Sequence, residues 1–128
     1  MATQWSDHIV VAQLADEPSL SEELGNLGER IASAGESGQT VPHAVLDFSA
    51  VSYINSSNIA QLLQLSRNLT KHGRTMRLCA LSDEVWSVMM ITGLEKVFRF
   101  APDTMTALAS IQLEDGEPAE DVSDGEPE

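Results

Sequence analysis

Two adjacent serines between two asparagines are the residues of this chain best placed to do chemistry. The stretch Asn55-Ser56-Ser57-Asn58 follows an apolar run that ends in Asp47-Phe48-Ser49, and an amphipathic helix pattern begins immediately after it. The first backbone N–H groups of a helix lack partners within the helix, so a serine hydroxyl placed there caps them for about 1 kcal/mol. The same N–H groups, together with the helix dipole, also favour a bound anion.

Two interpretations of the serine pair are therefore open. In the first, Ser56 or Ser57 is simply the N-cap, and Asn55 and Asn58 are turn residues beside it. In the second, one serine accepts a phosphate, which adds about −1.5 to −2 units of charge at a helix end that tolerates an anion. Such a local change alters a whole docking surface and so suits a switch. Local physics alone favours capping.

The remaining candidate residues do not form the pattern of an enzyme. His8, His43 and His72 are scattered and have no metal-ligand spacing. The sequence contains neither a glycine-rich phosphate loop nor the Gly-x-Ser-x-Gly elbow of a hydrolase. Asp47 is the one candidate general base, but no histidine or lysine stands near it in sequence, which favours a structural carboxylate. We therefore predict no catalytic residue, metal or cofactor.

The formal charge of −13 is distributed unevenly along the 128 residues. Residues 114–128 hold eight acids and no base, whereas residues 1–113 hold 12 acids and 7 bases. A segment with little to bury and strong self-repulsion does not fold alone. We predict one domain over 1–113 and an acidic disordered tail over 114–128. Since no basic stripe is present to neutralise phosphates, the composition argues against nucleic acid as a partner.

The single cysteine and the short apolar runs indicate in which cellular compartment the chain is expected to lie. Cys79 stands inside an apolar strand pattern, so it is predicted to be buried, and one cysteine forms no internal disulfide. No apolar run approaches the ~20 residues of a membrane span, and the first residues lack a signal-peptide pattern. We expect a cytoplasmic domain with one modest core.

Strand and helix patterns alternate along the first 113 residues. Runs rich in apolar and β-branched residues predict strands over 8–14, 43–48, 75–81 and 96–101. Ser19 and Glu22 have the spacing of a capping box before a helix with an apolar stripe. A second helix is expected over 57–72, a third is capped by Ser82, and a fourth, over 103–112, is opened by Asp103.

This alternation predicts an α/β domain. About four helices should cover an open sheet of four to five strands, mixed or parallel. In such a sheet the functional loops lie outside the carboxyl ends of the strands. The loop that carries the two serines is one of them.

The segment from about residue 8 to 112 resembles the STAS domain, the fold of bacterial anti-sigma factor antagonists. In that family a strand ending "VLDLS" leads through "xVxxID" into "SSG" or "STG" and then into an amphipathic helix. The matching stretch here is "VLDFSAVSYINSSN", residues 45–58. The stretch "RLCALSDEVWSVMMITGLEKVFRF", residues 77–100, is similar to the family's strand, helix and "TGL…VF" strand, with Thr92-Gly93-Leu94 in register.

The resemblance implies a mechanism of partner switching. The unphosphorylated domain binds an anti-sigma factor that is also an ATP-dependent serine kinase, and so releases sigma. The kinase then phosphorylates the second serine of the motif, docking fails, and a phosphatase resets the switch. Carried over by position, the phosphate acceptor is Ser57, with Ser56 beside it. The resemblance implies a binding module and kinase substrate, not an enzyme.

The resemblance also indicates a docking surface around the serines. Asn55 stands where the family usually has Asp, and Asn58 stands where it usually has Gly. Asn58 and Gln61 fall off the apolar face of the serine-bearing helix, so both are expected to be exposed contact residues. Asp16 and Glu17 lie in "ADEPS", which replaces the family's "GELD" segment and should lie near the serine loop.

Three further interpretations accompany these predictions. Trp86, Met89 and Met90 could form a soft docking patch, but helical spacing favours core for Trp86 and for Met89 or Met90. The second functional hypothesis is a STAS domain that does not cycle through phosphate and serves as a scaffold in a sensory complex or as a soluble subunit of a lipid-transport complex. The two asparagines favour that class. The third, an enzyme acting through Asp47, is the weakest.

Overall fold

A five-stranded sheet forms the centre of the computed structural model, which describes residues 2–6 and 8–114. The strands follow each other across the sheet in chain order, and only the first runs antiparallel to its neighbour. This confirms the predicted open, mainly parallel α/β sheet. The strands are β1 (Ala2–Ser6), β2 (Ile9–Ala15), β3 (His43–Ala50), β4 (Met76–Cys79) and β5 (Arg99–Ala101).

Helices cover the two faces of the sheet unequally. The apolar stripes of α1, α2 and α3 pack with one face in a large core, whereas α4 packs alone against the other face over β3, β4 and β5. Parallel strands need crossover connections, which α1, α2 and α3 supply, whereas α4 follows the last strand. Their bounds are α1 (Ser19–Glu36), α2 (Ser56–Lys71), α3 (Asp83–Ile91) and α4 (Thr104–Glu114), with a short 3₁₀ helix at Leu94–Lys96.

The antiparallel strand β1 is the element that the sequence did not predict. Its stretch, Ala2–Ser6, reads "ATQWS" and lacks the apolar alternation of a half-buried strand. It is held at the edge of the sheet by backbone pairing with β2, where Ala2 lies opposite Ala12. Pairing of this kind depends on the neighbouring strand, so a pattern within the segment does not reveal it.

Two local predictions were wrong in detail. No side chain caps α1 at Ser19; the carboxylate of Glu17 instead accepts a hydrogen bond from the backbone N–H of Ser21 at 2.8 Å. The last strand begins later than predicted, because Leu94–Lys96 forms the 3₁₀ helix and only Arg99–Ala101 pairs with β4. The cap of α3 is confirmed, since the Ser82 hydroxyl accepts from the N–H of Val85.

An ion pair between a buried arginine and a half-exposed carboxylate fixes the end of α4 against the sheet. Arg77, 3% exposed, lies within 2.7 Å of a carboxylate oxygen of Glu114, and its Nε also donates to the hydroxyl of Ser110. Glu114 was assigned to the acidic tail from the sequence, but it is the last residue of α4. The rest of the predicted tail, 115–128, lies outside the described residues.

Candidate functional site

The loop between β3 and α2 carries the serine pair. Val51 and Ile54 anchor this loop because both side chains are buried in the core. Between them, Ser52 and Tyr53 are exposed. Helix α2 then begins at Ser56, at the carboxyl edge of β3, where the topology of a parallel sheet places functional loops.

Asn55, and neither serine, is the N-cap of α2. Its Oδ1 accepts from the N–H of Asn58 at 2.9 Å, and the Oδ1 of Asn58 accepts from the N–H of Asn55 at 3.0 Å. The two asparagines thus form a reciprocal capping box. The capping interpretation of Ser56 or Ser57 was therefore wrong, because the flanking side chains already satisfy this role.

The capping box leaves both serines free for another role. Ser56 and Ser57 occupy the first two positions of the helix and are exposed. Within residues 2–6 and 8–114, neither hydroxyl and neither backbone N–H of the pair makes a hydrogen bond. An exposed hydroxyl beside unsatisfied helix N–H groups is the arrangement that accommodates an anion.

Asn58 is buried, which corrects its prediction as an exposed contact residue. It has 0% exposure, and its Nδ2 donates to Glu17 at 3.0 Å and to the hydroxyl of Ser21 at 3.3 Å. Helical periodicity placed Asn58 off the apolar stripe, but α1 covers that side of α2 as well. Gln61 is half-buried for the same reason, and its Nε2 donates to the carbonyl of Ser21 at 3.1 Å.

The segment between β2 and α1 contacts the serine loop through two carboxylates. Asp16 accepts from the N–H of Ser52 at 2.8 Å and from its hydroxyl at 2.6 Å. Glu17 accepts from Asn58 and from the N–H and hydroxyl of Ser21. The expected proximity of the two loops is thus found, whereas the bonding partners Ser21 and Ser52 were not predicted.

These hydrogen bonds hold both carboxylates in the charged form. Bonds from the Ser52 side chain and backbone lower the pKa of Asp16 from its ordinary 3.8. Bonds from the side chains of Ser21 and Asn58 lower the pKa of Glu17 from 4.5. Both side chains are exposed, so each is a carboxylate fixed in position at the surface beside the serines.

The link between the loops is expected to weaken in acid. Because both folded-state pKa values are depressed, the stabilisation is complete above the ordinary values and is lost as the pH falls through the folded values. We expect the amide resonances of Ser52 and Asn58 to shift as the pH falls below the ordinary pKa values of 3.8 and 4.5. In Asp16→Asn the shift at Ser52 should vanish while that at Asn58 remains. A Ser52 resonance that titrates identically in Asp16→Asn would contradict the assigned contact.

Asp47 and Cys79 have the contacts and burial of structural residues rather than of reactive ones. Asp47 accepts a hydrogen bond from the N–H of Ser49 at 2.9 Å, which fits a structural carboxylate. Cys79 is buried in β4, as predicted, and burial raises the pKa of its thiol, which disfavours the reactive thiolate. Among residues 2–6 and 8–114, no three His, Cys, Asp or Glu side chains gather as a metal site. In the same residues no helix is long and apolar enough to cross a membrane.

The apolar residues of α3 divide between core and surface. Met89 is fully buried, whereas Trp86 is 37% and Met90 is 55% exposed. Core was the favoured interpretation for Trp86 and for Met89 or Met90, and it holds for Met89 but not for Trp86. The ring of Trp86 meets Phe100 edge-on, with 5.0 Å between centroids, at the side of a cavity of about 330 Å³.

The sheet order, the crossover helices and the exposed serine pair at the start of α2 define a mainly parallel α/β domain whose serine-bearing helix begins at the carboxyl edge of the sheet. The family model of the STAS domain matches residues 6–107, and the chain belongs to the STAS domain family. The sequence resemblance is thereby confirmed for most of the chain.

Solved structures share this fold at low sequence identity. An anti-sigma-factor antagonist (STAS) domain protein from Planctomyces limnophilus has a TM-score of 0.71 and 15% identity, over 87% of this chain and 96% of that chain. The Bacillus cell fate determinant SpoIIAA in its phosphorylated form has a TM-score of 0.63 and 18% identity, over 87% and 97%. A sulfate transporter family protein from Wolinella succinogenes has a TM-score of 0.65 and 17% identity, over 83% of this chain and 84% of that chain.

Proposed function

We propose that this chain is a cytoplasmic anti-sigma factor antagonist that is switched by phosphorylation of Ser57. Its partner is an anti-sigma factor that is also a serine kinase-like ATPase, and a phosphatase restores the docking form. The chain acts as a binding module and kinase substrate, and it catalyses nothing itself. The observation that carries the proposal is the exposed Ser57 hydroxyl at the second position of α2, relieved of capping by Asn55 and Asn58.

The inward orientation of Asn58 supports access to Ser57. In the family the corresponding residue is usually glycine, which lets a partner's backbone approach closely. The side chain of Asn58 is buried and bonds to Glu17 and Ser21, so it does not project beside the serine hydroxyl. The departure from glycine therefore leaves the outer surface open to a kinase.

The surroundings of Ser57 support a switch that acts by changing the size, hydration and charge of the docking surface. We name the exposed surface formed by Asp16, Glu17, Ser52, Ser56 and Ser57 the serine end. It already presents two fixed carboxylates. A partner that docks here has basic groups facing Asp16 and Glu17. A phosphate adds about −1.5 to −2 units of charge, and its bulk and hydration disrupt the fit at the centre of the interface.

The proposed contact residues are those of the serine end together with Asn55 and the exposed part of Gln61. Asn58 contributes indirectly, because it holds Glu17 and the start of α2 in position. In this arrangement the exposed residues contact the partner, and the buried Asn58 holds them in position.

A second candidate is a STAS domain that does not cycle through phosphate. The replacement of the family's Asp by Asn55 favours it, because a charge that kinase partners could recognise is missing. The fold shared with the sulfate transporter family protein also fits a soluble subunit of a transport or sensory complex. In this candidate Asn55 and Asn58 serve only to begin α2.

Partner capture separates the two candidates. Immobilised wild-type chain, incubated with lysate of the organism that encodes it, should retain an ATP-binding kinase-like protein. A Ser57→Asp chain should lose that protein, and a Ser57→Ala chain should retain it. Capture of a complex without an ATP-binding member, equal for all three chains, would support the scaffold and contradict the switch.

A further inference from the structure

Most of the basic residues of the chain gather at one end of the fold, which we name the basic end. Six of the seven lysine and arginine residues lie there. Three belong to the last turns of α2 and the turn that follows, and three to the starts of β4 and β5. Because β4 and β5 are parallel, with Arg77 opposite Arg99, their starts share one edge of the sheet. The six residues are Arg67, Lys71, Arg74, Arg77, Lys96 and Arg99.

The acidic C-terminal segment leaves the fold at the basic end. The last described residue, Glu114, lies within 2.7 Å of Arg77, and the Nη1 of Arg99 donates to both of its oxygens at 2.7 and 2.9 Å. The next 14 residues, 115–128, contain seven acids and no base. The first carboxylate of the acidic run is therefore already bound by two arginines.

The basic end also presents positive charges and hydroxyl groups that can bind further carboxylates. Arg67, Lys71 and Lys96 are exposed, and none of them forms an ion pair with a carboxylate of residues 2–6 or 8–114. Beside Arg99 lies a cavity of about 100 Å³, whose lining includes the hydroxyl-bearing residues Ser66, Thr70 and Thr75. Cations and hydroxyls are the groups that bind carboxylates in proteins.

The opposite end of the domain repels an acidic segment. Carboxylates stand in or just after each of the four parallel strands, towards their carboxyl ends, and no lysine or arginine lies in these loops. The serine end is part of this surface. The charge of the domain is thus separated, with acids at the carboxyl edge of the sheet and bases at the amino edge. The carboxylates are Asp16, Glu17, Asp47, Asp83 and Asp103.

We propose that residues 115–128 bind intramolecularly to the basic end of their own chain. Fourteen residues span up to about 46–50 Å when extended, which exceeds the dimensions of one edge of a small domain. Tethering through Glu114 gives an effective concentration of about the millimolar range, so weak ion pairs suffice. The bound segment neutralises the basic end against other polyanions and leaves the serine end accessible.

Paramagnetic relaxation enhancement on the full chain tests this proposal. A nitroxide is attached at Ser123→Cys in a Cys79→Ala background, so that one site is labelled. At about 10 mM salt, where the Debye length is about 30 Å, the amides of Lys71 and Lys96 should lose more than half of their intensity. Those of Ser56 and Asp83 should remain unchanged. At about 1 M salt, where the Debye length is about 3 Å, the attenuation should fall to that which the tether alone produces in an uncharged segment of the same length.

Two controls make the outcome decisive. A chain of equal length with the seven acids of 115–128 replaced by Asn or Gln should show only the attenuation that the tether alone produces, and Lys71→Gln/Lys96→Gln should lower the attenuation of the acidic chain towards that level. Equal attenuation at both ends of the domain, or attenuation at about 10 mM salt that is no greater than in the neutral chain, would overturn the proposal. Attenuation that appears when labelled chain is mixed with unlabelled, isotope-enriched chain would show binding between copies and would also overturn it.

Discussion

Asn58→Ala is expected to lower the free energy of unfolding by about 2–4 kcal/mol. Alanine removes the acceptor for the N–H of Asn55 and the donor that links α2 to Glu17 and Ser21. Since Asn58 is fully buried, neither bond is replaced readily by water. Chemical denaturation followed by circular dichroism measures the loss.

Asn68→Ala is the matched control for this prediction. It makes the same substitution in the same helix, at a position whose side-chain amide has only a 3.4 Å contact with Gln64. Its effect should stay within about 0.5 kcal/mol. Equal stability of the two variants would show that the capping box and its bonds to α1 contribute nothing measurable. Asn58→Gly, which restores the residue usual in the family, should be at least as destabilising as Asn58→Ala, because glycine also weakens the helix.

Ser57→Asp is expected to weaken binding of the captured partner at least tenfold. The carboxylate brings a strongly hydrated charge to the centre of the serine end, where the partner meets a neutral hydroxyl in the wild type, and desolvating that charge on docking is costly. Ser57→Ala should retain wild-type affinity. The Ser57 hydroxyl makes no hydrogen bond within the described part of the chain, so its removal leaves the serine end in place and adds no charge. Isothermal titration calorimetry at fixed salt gives the three dissociation constants.

Ser33→Asp is the control for unspecific charge effects. Ser33 is an exposed serine of α1 near its carboxyl end, away from the loops at the carboxyl edge of the sheet. The same substitution there should leave the affinity unchanged. If Ser33→Asp weakened binding as much as Ser57→Asp, the effect would follow from net charge, and the location of the switch would be contradicted.

The sequence predicted the sheet and the helices well because their core residues recur with clear periods. The apolar stripe of α1 and the buried run of β3 each fix an element and the face that it buries. The edge strand β1 has no such pattern, since its pairing depends on the backbone of β2. The docked position of Glu114 likewise depends on Arg77 and Arg99, which are distant from it in sequence.

The start of the serine-bearing helix was predicted from the sequence, but the hydrogen bonds around it were not. Local rules identified a capped helix start near residue 56, yet the choice between serine and asparagine as the cap depends on which side chain is turned inward. That is decided by Glu17 and Ser21, which lie 41 and 37 residues away from Asn58 along the chain. No local pattern could reveal this contact. Asn58 was therefore expected to be exposed, whereas it is buried and holds the start of α2 against α1.

Site-specific phosphorylation is the measurement that tests the central claim most directly. The full chain is incubated with the captured kinase-like partner and ATP, and the modified residue is identified by tandem mass spectrometry. The account predicts one phosphoryl group on Ser57, none on Ser56, and no modification of Ser57→Ala. A phosphate on another residue, or an unmodified chain in the presence of an active kinase that binds it, would contradict the account.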